Sequence, residues 1–348
     1  MTPYNYALFL FSISLGTTTT FASSNWLLAW TGLEINSLAI LPIMAQNAHP
    51  RAVEATTKYF LVQTSGAATL LFATTLNAWQ TGQWNILETA DPLATSLITL
   101  ALVFKLGLAP LHLWLPEVIQ GCDLPTTLIL STIQKLAPFT VLMQIPFTIP
   151  GVLITMSALS IVLGAWGALN QTQLRKIIAY SSIAHLGWVA ITLYYSPPLS
   201  FLNLLIYFML TSALILLFVL NKATHINALS TTWVKAPALT ALTPLVLLSL
   251  GGLPPLTGFM TKWLVIQELT GQGLALVATL TALGALLSLY FYLRITYAMA
   301  LTISPNTLTT TMPWRLPSSH LTLPLAAATA TSLLLLPLTP AAITLLAP

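Results

Sequence analysis

The sequence predicts an all-α, polytopic membrane protein with about eleven transmembrane helices. Three observations carry that reading. Charged residues make up 5% of the 348, against roughly 25% in a soluble domain. The 11 basic and 7 acidic side chains could not cover a soluble fold of this size. Hydrophobic residues reach 56% and mean hydropathy is +0.86, which excludes a disordered chain. Finally, the apolar runs are continuous and about twenty residues long, the length a helix needs to cross the hydrocarbon. Barrel strands instead alternate apolar and polar over about ten residues.

The spans fall near residues 3–22, 25–45, 58–79, 93–119, 124–146, 149–169, 177–196, 200–220, 239–270, 273–299 and 322–346. The first opens the chain as MTPYNYALFLFSISLG. No basic stretch precedes it, since the first arginine is Arg51, so no cleaved presequence is expected. The fourth and ninth spans are longer than a crossing requires, and both carry Gly and Pro near their middles. The others are single apolar runs.

The basic residues set an orientation. The loop after span 2 carries Arg51 and Lys58, that after span 6 Arg175 and Lys176, and that after span 8 Lys222 and Lys235. The loop after span 10 carries Arg315, with Arg294 close by. The loops after spans 1, 3, 5, 7 and 9 carry neither Lys nor Arg. One miscounted helix would scramble this asymmetry. By the positive-inside rule, the N-terminus and the even loops face the negative compartment, and the C-terminus faces the opposite side.

Three lysines lie inside spans instead: Lys105 in LVFKLGLAP, Lys135 in STIQKLAPF and Lys262 in GFMTKWLVI. One acid joins them, Glu34 in LAWTGLEINSLAI. A charge at the bilayer centre costs about 2.5–3.5 kcal/mol on insertion scales. A buried ion pair or a snorkelling lysine would account for one such residue. Four in a chain this poor in charge point to a relay of titratable groups.

The two long spans share a pattern. Gly107-Leu108-Ala109-Pro110-Leu111 and Gly252-Leu253-Pro254-Pro255-Leu256 both read Gly-Leu-x-Pro-Leu, one with Lys105 nearby and the other with Lys262. Their spans are five apart, so the copies face opposite ways, as in the inverted repeats of secondary transporters. Pro110 cannot serve the carbonyl of Leu106, nor Pro255 that of Gly251. Pro254 likewise frees the carbonyl of Leu250. Carbonyls freed in lipid must find water, a side chain or a cation, and a nearby lysine is a natural donor. The half-helix ends also carry partial charges that perturb ionisable neighbours.

His112, just past the first break, and His185, in IAYSSIAHLGW, are further candidates because histidine titrates near neutral pH. A lone histidine in a helix is also a common hydrogen-bonded packing residue. His49, His225 and His320 are assigned no role. Glu88, Asp91, Glu117 and Asp123 fall at span ends and read as interfacial. The single cysteine, Cys122, excludes an internal disulfide or a cysteine-ligated cluster within the chain. No Gly-x-Gly-x-x-Gly, Walker or Cys-x-x-Cys motif is present. The scattered basic residues form no nucleic-acid patch, so no nucleic acid is expected as a partner. Asn170-Gln171-Thr172 matches a glycosylation sequon in a positive loop and reads as chance.

The stretches LGLAPLHLWLPEVIQG (106–121), NQTQLRKIIAYSSIAHLGW (170–188), LLSLGGLPPLTGFMTKW (247–263) and LYFYLR (289–294) closely resemble the chain 2 family of mitochondrial NADH–ubiquinone oxidoreductase, respiratory complex I. WTGLEIN (30–36) and PRAVEATTKYFLVQ (50–63) resemble it too. The likeness spans the chain and is least diagnostic over the last fifty or so residues. LRKIIAYSSIAHLG is shared more widely among antiporter-like subunits. The resemblance implies a core subunit of the membrane arm, built as two inverted bundles with one broken helix each. It implies three regions: an N-terminal helix over 1–22, a proton-antiporter-like domain over 23–299, and a loop with the last helix over 300–348. It implies protons conducted across the mitochondrial inner membrane, coupled to NADH-to-ubiquinone electron transfer in other subunits. The N-terminus would lie in the matrix and the C-terminus in the intermembrane space. By motif, Glu34 pairs with Lys105, Lys135 lies centrally, Lys262 sits on the second broken helix, and His112 and His185 link them. NADH, FMN, iron–sulfur clusters and ubiquinone would serve the whole complex, with no cofactor on this chain. Partners would be other complex I subunits, above all neighbouring antiporter-like ones, and the phospholipid membrane. The alternative is a stand-alone monovalent cation/proton antiporter, and a third class is a scaffolding bundle.

Overall fold

The computed structural model describes residues 2–46, 48–89, 91–146, 150–234, 237–301 and 322–346. Lys235, Arg315 and His320 lie outside them. The described residues are helical apart from loops and two isolated β-bridges. They divide into two compact units, Met1–Leu159 and Ser160–Pro348.

The first unit holds α1 (Pro3–Ala22), α2 (Trp26–Met44), α3 (Pro50–Thr81), α4 (Pro92–Leu106), α5 (Trp114–Gly121), α6 (Leu124–Ser131), α7 (Ile133–Gln144) and the start of α8 (Pro150–Ala168). Proline opens α1, α3, α4 and α6, where its missing N–H costs nothing. Asn25 caps α2, and Asp91 caps α4 by accepting from the backbone of Leu93 and Ala94. Gly16 and Gly32 let α1 and α2 touch backbone to backbone. A methyl at Gly16 would come within 3.0 Å of the Gly32 carbonyl. α3 is longer than span 3. It starts at Pro50, where the polar turns before Lys58 continue the helix beyond the apolar run.

The second unit holds the rest of α8, then α9 (Leu174–Ile191), α10 (Pro197–Asn221), the short α11 (Ile226–Ser230), α12 (Pro237–Gly251), α13 (Thr257–Gly271), α14 (Ala275–Ala300), α15 (Thr322–Leu334) and α16 (Thr339–Leu346). α10 packs against α9, α12, α13, α15 and α16. Its buried face, with Tyr207, Leu210, Leu214, Leu217 and Phe218, forms the centre of this unit.

Six of the described spans are by themselves long and apolar enough to cross a membrane. Spans 4 and 9 are helix pairs, α4 with α5 and α12 with α13. The loops pair by parity. The loop after span 1 bonds the loop after span 3, from Trp26 N to Trp84 O (3.0 Å) and from Ile86 N to Ser24 O (3.0 Å). The loop after span 6 bonds the loop after span 8, from Leu174 N to Thr224 O (3.1 Å) and from Ile226 N to Thr172 O (3.2 Å). Odd meets odd and even meets even, as required if every span crosses once.

Candidate functional site

In the first unit, α4 ends at Gly107, whose φ of 77° suits glycine. The Leu108 N–H returns to the Val103 carbonyl at 3.1 Å, a Schellman closure. The Ala109–Pro110 bond is cis. The carbonyl that Pro110 leaves free, that of Leu106, accepts a 2.6 Å hydrogen bond from Lys135 Nζ. The donor therefore comes from α7 on another span, and not from Lys105 one residue away. Lys135 also stands 5.2 Å above the Trp114 ring, a cation–π contact of about 2 kcal/mol when desolvated. Trp114 in turn lies against Gly107 and meets Tyr59 edge-on at 5.9 Å.

Beside this break is a cavity of about 20 Å³, lined by polar Asn36, Ser37, Gln63, Gln134, Lys105 and Lys135 among others. That is room for about one water. Gln134 ties three helices together here. Its amide donates to the Asn36 side chain (3.1 Å) and backbone (3.2 Å), and its oxygen accepts from Tyr59 (3.4 Å). Lys105 is buried, and its stem lies against Gly66 of α3, where a methyl would meet Lys105 Cγ at 3.2 Å. Glu34 is half-buried, and its Oε2 has no hydrogen-bond partner. No ion pair joins Glu34 to Lys105, so the two are not in contact in this structure. His112 is buried past the break, with Nδ1 unpartnered.

The second unit repeats the geometry. α12 ends at Gly252, with φ 81°. The Leu253 N–H returns to the Leu248 carbonyl, and Pro254–Pro255 is cis. The carbonyl freed by Pro255, that of Gly251, accepts 2.7 Å from Lys262 Nζ, which also donates to Ser288 Oγ at 3.4 Å. Leu106 and Gly251 are equivalent in the Gly-Leu-x-Pro-Leu register. The same carbonyl is capped by a buried ammonium in both units. Gly252 also makes room for the lysine: a methyl there would meet Lys262 Cδ at 2.8 Å. His185 Nε2 lies 3.5 Å from the Tyr292 hydroxyl, and its ring is 5.9 Å from that of Tyr207.

The structure thus gathers Lys105, Lys135 and Glu34 with α2, α3 and α7 in the first unit, and Lys262 and His185 in the second. Sequence reasoning missed Gln134, Tyr59, Trp114, Gly66, Ser288 and Tyr292. It also missed a third interruption, at Thr132 between α6 and α7, where φ is −111° and ψ −77°. Pro138 gives no signal for it, since it lies inside α7 and withholds its hydrogen bond from the Gln134 carbonyl, past the interruption.

Two units, each holding a proline-broken helix whose free carbonyl meets a buried lysine, define an antiporter-like membrane subunit. The family model described as NADH:quinone oxidoreductase/Mrp antiporter, TM, matches residues 23–288. That of the NADH dehydrogenase subunit 2 C-terminus matches residues 289–343. The chain is 61% identical over 345 residues to NADH-ubiquinone oxidoreductase chain 2 of Tetraodon nigroviridis. It is 62% identical over 347 residues to that of Salmo salar. Each comparison covers 99% of both chains. It matches a chain of respiratory complex I from Thermus thermophilus with a TM-score of 0.85 at 30% identity, covering 100% of this chain and 81% of that one. A chain of the archaeal membrane-bound sulfane sulfur reductase shares the fold, with a TM-score of 0.82 at 20% identity, over 98% and 74% of the two chains. The chain belongs to the NADH-ubiquinone oxidoreductase chain 2 family.

Proposed function

We propose that this chain carries protons through the membrane arm of an NADH–ubiquinone oxidoreductase, with Lys105, Lys135 and Lys262 as the groups that gain and lose the proton. As a family member it is a multi-pass inner-membrane protein that works among the other membrane subunits of complex I. Redox chemistry with NADH, FMN, iron–sulfur clusters and ubiquinone belongs to other subunits of the whole complex.

The observation that carries the reading is the pairing of each freed carbonyl with a buried lysine. A carbonyl at a helix C-terminus carries only a partial negative charge. It holds an ammonium more weakly than a carboxylate would, so the proton can leave. The amine that remains still has N–H groups for the same carbonyl. Lys105 faces the cavity, where one water can take or supply the proton, and Glu34 on α2 is its switchable counter-charge. His112, past the first break, and His185, on α9, link these groups. The N-terminus lies in the matrix and the C-terminus in the intermembrane space, a direction that the Lys- and Arg-bearing even loops support. The two bundles are inverted copies, which the five-span offset supports. Residues 1–22 are the N-terminal transmembrane helix, 23–299 the proton-antiporter-like domain, and 300–348 the C-terminal loop and last transmembrane helix. The stand-alone antiporter reading draws on fold alone, since the matched Mrp complex chain is 19% identical.

Substitution at Lys262 tests the reading. Lys262→Ala abolishes this subunit's proton transfer while the assembly stays intact. Lys262→Arg fails as well, because arginine keeps its charge at any physiological pH and cannot cycle. The measurement is protons pumped per NADH oxidised in reconstituted enzyme. A wild-type ratio in the arginine variant removes Lys262 from the relay.

A further inference from the structure

The two units differ sharply in charge. Residues 1–159 carry four of the Lys and Arg and six of the Asp and Glu, whereas residues 160–348 carry seven and one. The first unit's surface lysine is neutralised on the spot: Lys58 pairs with Glu54 at 2.6 Å and Glu117 at 2.8 Å. The second unit's single acid, Glu268, sits near the end of α13, beside the odd loop after span 9. Its even-loop end has no carboxylate at all.

Among the described residues, the basic ones at that end are gathered by one loop pair. The bridge between Gln173 and His225 sets the first turn of α9, with Arg175 and Lys176, beside the end of α10, with exposed Lys222. Arg294 of α14 reaches the same loop by donating to the Leu169 carbonyl. Arg175 and Lys176 stand at the positive pole of α9, where cations are disfavoured. Gln173 offers no side-chain cap, and the first turn has no acid. One residue before Lys222, the amide nitrogen of Asn221, 7% exposed, has no hydrogen-bond partner. Trp166 of α8 and Tyr297 of α14, 67% and 57% exposed, flank the Leu169–Arg294 contact. Exposed Trp and Tyr mark headgroup depth in a membrane protein.

We propose that this corner binds the headgroup of an anionic phospholipid. The phosphate would lie among Lys176, Lys222 and the α9 N-terminus, with its acyl chains along Trp166 and Tyr297. A headgroup supplies the negative charge that the unit's own sequence withholds, at the depth where these residues lie. Each basic residue near the surface contributes about 1 kcal/mol toward anionic lipid, about fivefold in affinity.

The test uses the intact assembly in phosphatidylcholine vesicles, titrated with spin-labelled phosphatidylglycerol, with the immobilised fraction read by electron spin resonance. Lys176→Gln with Lys222→Gln should lower affinity about thirtyfold, and the two Lys→Arg changes should restore it. Lys58→Gln should leave it unchanged. Wild-type binding in the double Gln variant overturns the proposal. So does equal displacement by inorganic phosphate, which would make this a free-anion site. A measurement on the unaltered protein covers failed assembly of the variants. Phosphatidylglycerol should shield Lys176 and Lys222, but not Lys58, from an amine-acetylating reagent. Equal labelling with and without the lipid overturns the proposal. Carbodiimide crosslinks from these lysines to another subunit's carboxylates would assign the corner to a protein partner and overturn it too.

Discussion

The two helix breaks share a backbone and differ in how they are closed. In the first unit the lysine on the freed carbonyl arrives from a different span, so the break is stitched to its neighbour by α7. In the second the lysine is 11 residues along from the carbonyl it caps, on the other half of the same broken span. The repeat register makes the contrast sharper. Lys105, two residues before Gly107, aligns with Leu250, and Lys262 aligns with Glu117. The conserved element of the repeat is the exposed carbonyl and its turn, while the lysine that serves it comes from wherever the packing allows. A carbonyl with no partner in lipid costs several kcal/mol, and any buried amine within reach relieves that cost.

The largest effect separating the two breaks is expected at Gly258. Its missing side chain lets α13 press against the Ser249 carbonyl, and an added methyl would occupy that oxygen's place. Gly258→Ala should therefore prevent α12 and α13 from closing, and native gels should show the chain absent from the large assembly. Normal abundance would show that the second break can relax. Next comes Lys135→Met, which strands the buried Leu106 carbonyl at a cost of several kcal/mol. Detergent-solubilised assembly should melt earlier, with pumping lost. Unchanged melting would mean that α7 does not stitch the first break. Smaller again is Gly252→Ala against Gly107→Ala. Both place alanine at a left-handed φ, costing about 1–2 kcal/mol. Only Gly252→Ala also displaces Lys262, so it should lower pumping per NADH more, and equal losses would erase that difference. The smallest effect is expected for Glu117→Gln, since Lys58 keeps Glu54. Growth on a respiratory substrate should be indistinguishable from wild type.

Hydropathy made the spans legible because a crossing helix needs a continuous apolar run, and each run became a helix or a broken pair. The two breaks were legible because glycine and proline act on the backbone within a few residues. Which lysine meets which carbonyl was not. Spacing along one chain pointed to Lys105 for Leu106, whereas Lys135 arrives through tertiary packing, 29 residues on. The polar start of α3 was hidden for the opposite reason: it extends past the hydrocarbon, where apolar periodicity stops informing and the Lys58 ion pairs take over. Gln134 and Tyr59 look ordinary in sequence. Their importance comes from the α2, α3 and α7 helices meeting around one small cavity.

The paired odd loops of the first unit bear on how the protein is made. The Trp26 amide at the head of α2 finds its acceptor on Trp84, about 60 residues later in the chain. At synthesis rates of about 5–20 residues per second, the second span waits several seconds with that donor unmet. The first hairpin therefore enters the bilayer unfinished. It becomes a locked piece only after the third span has been threaded and its exit loop has folded back, so spans 1 to 3 are the smallest stretch of chain that holds both partners of these bonds.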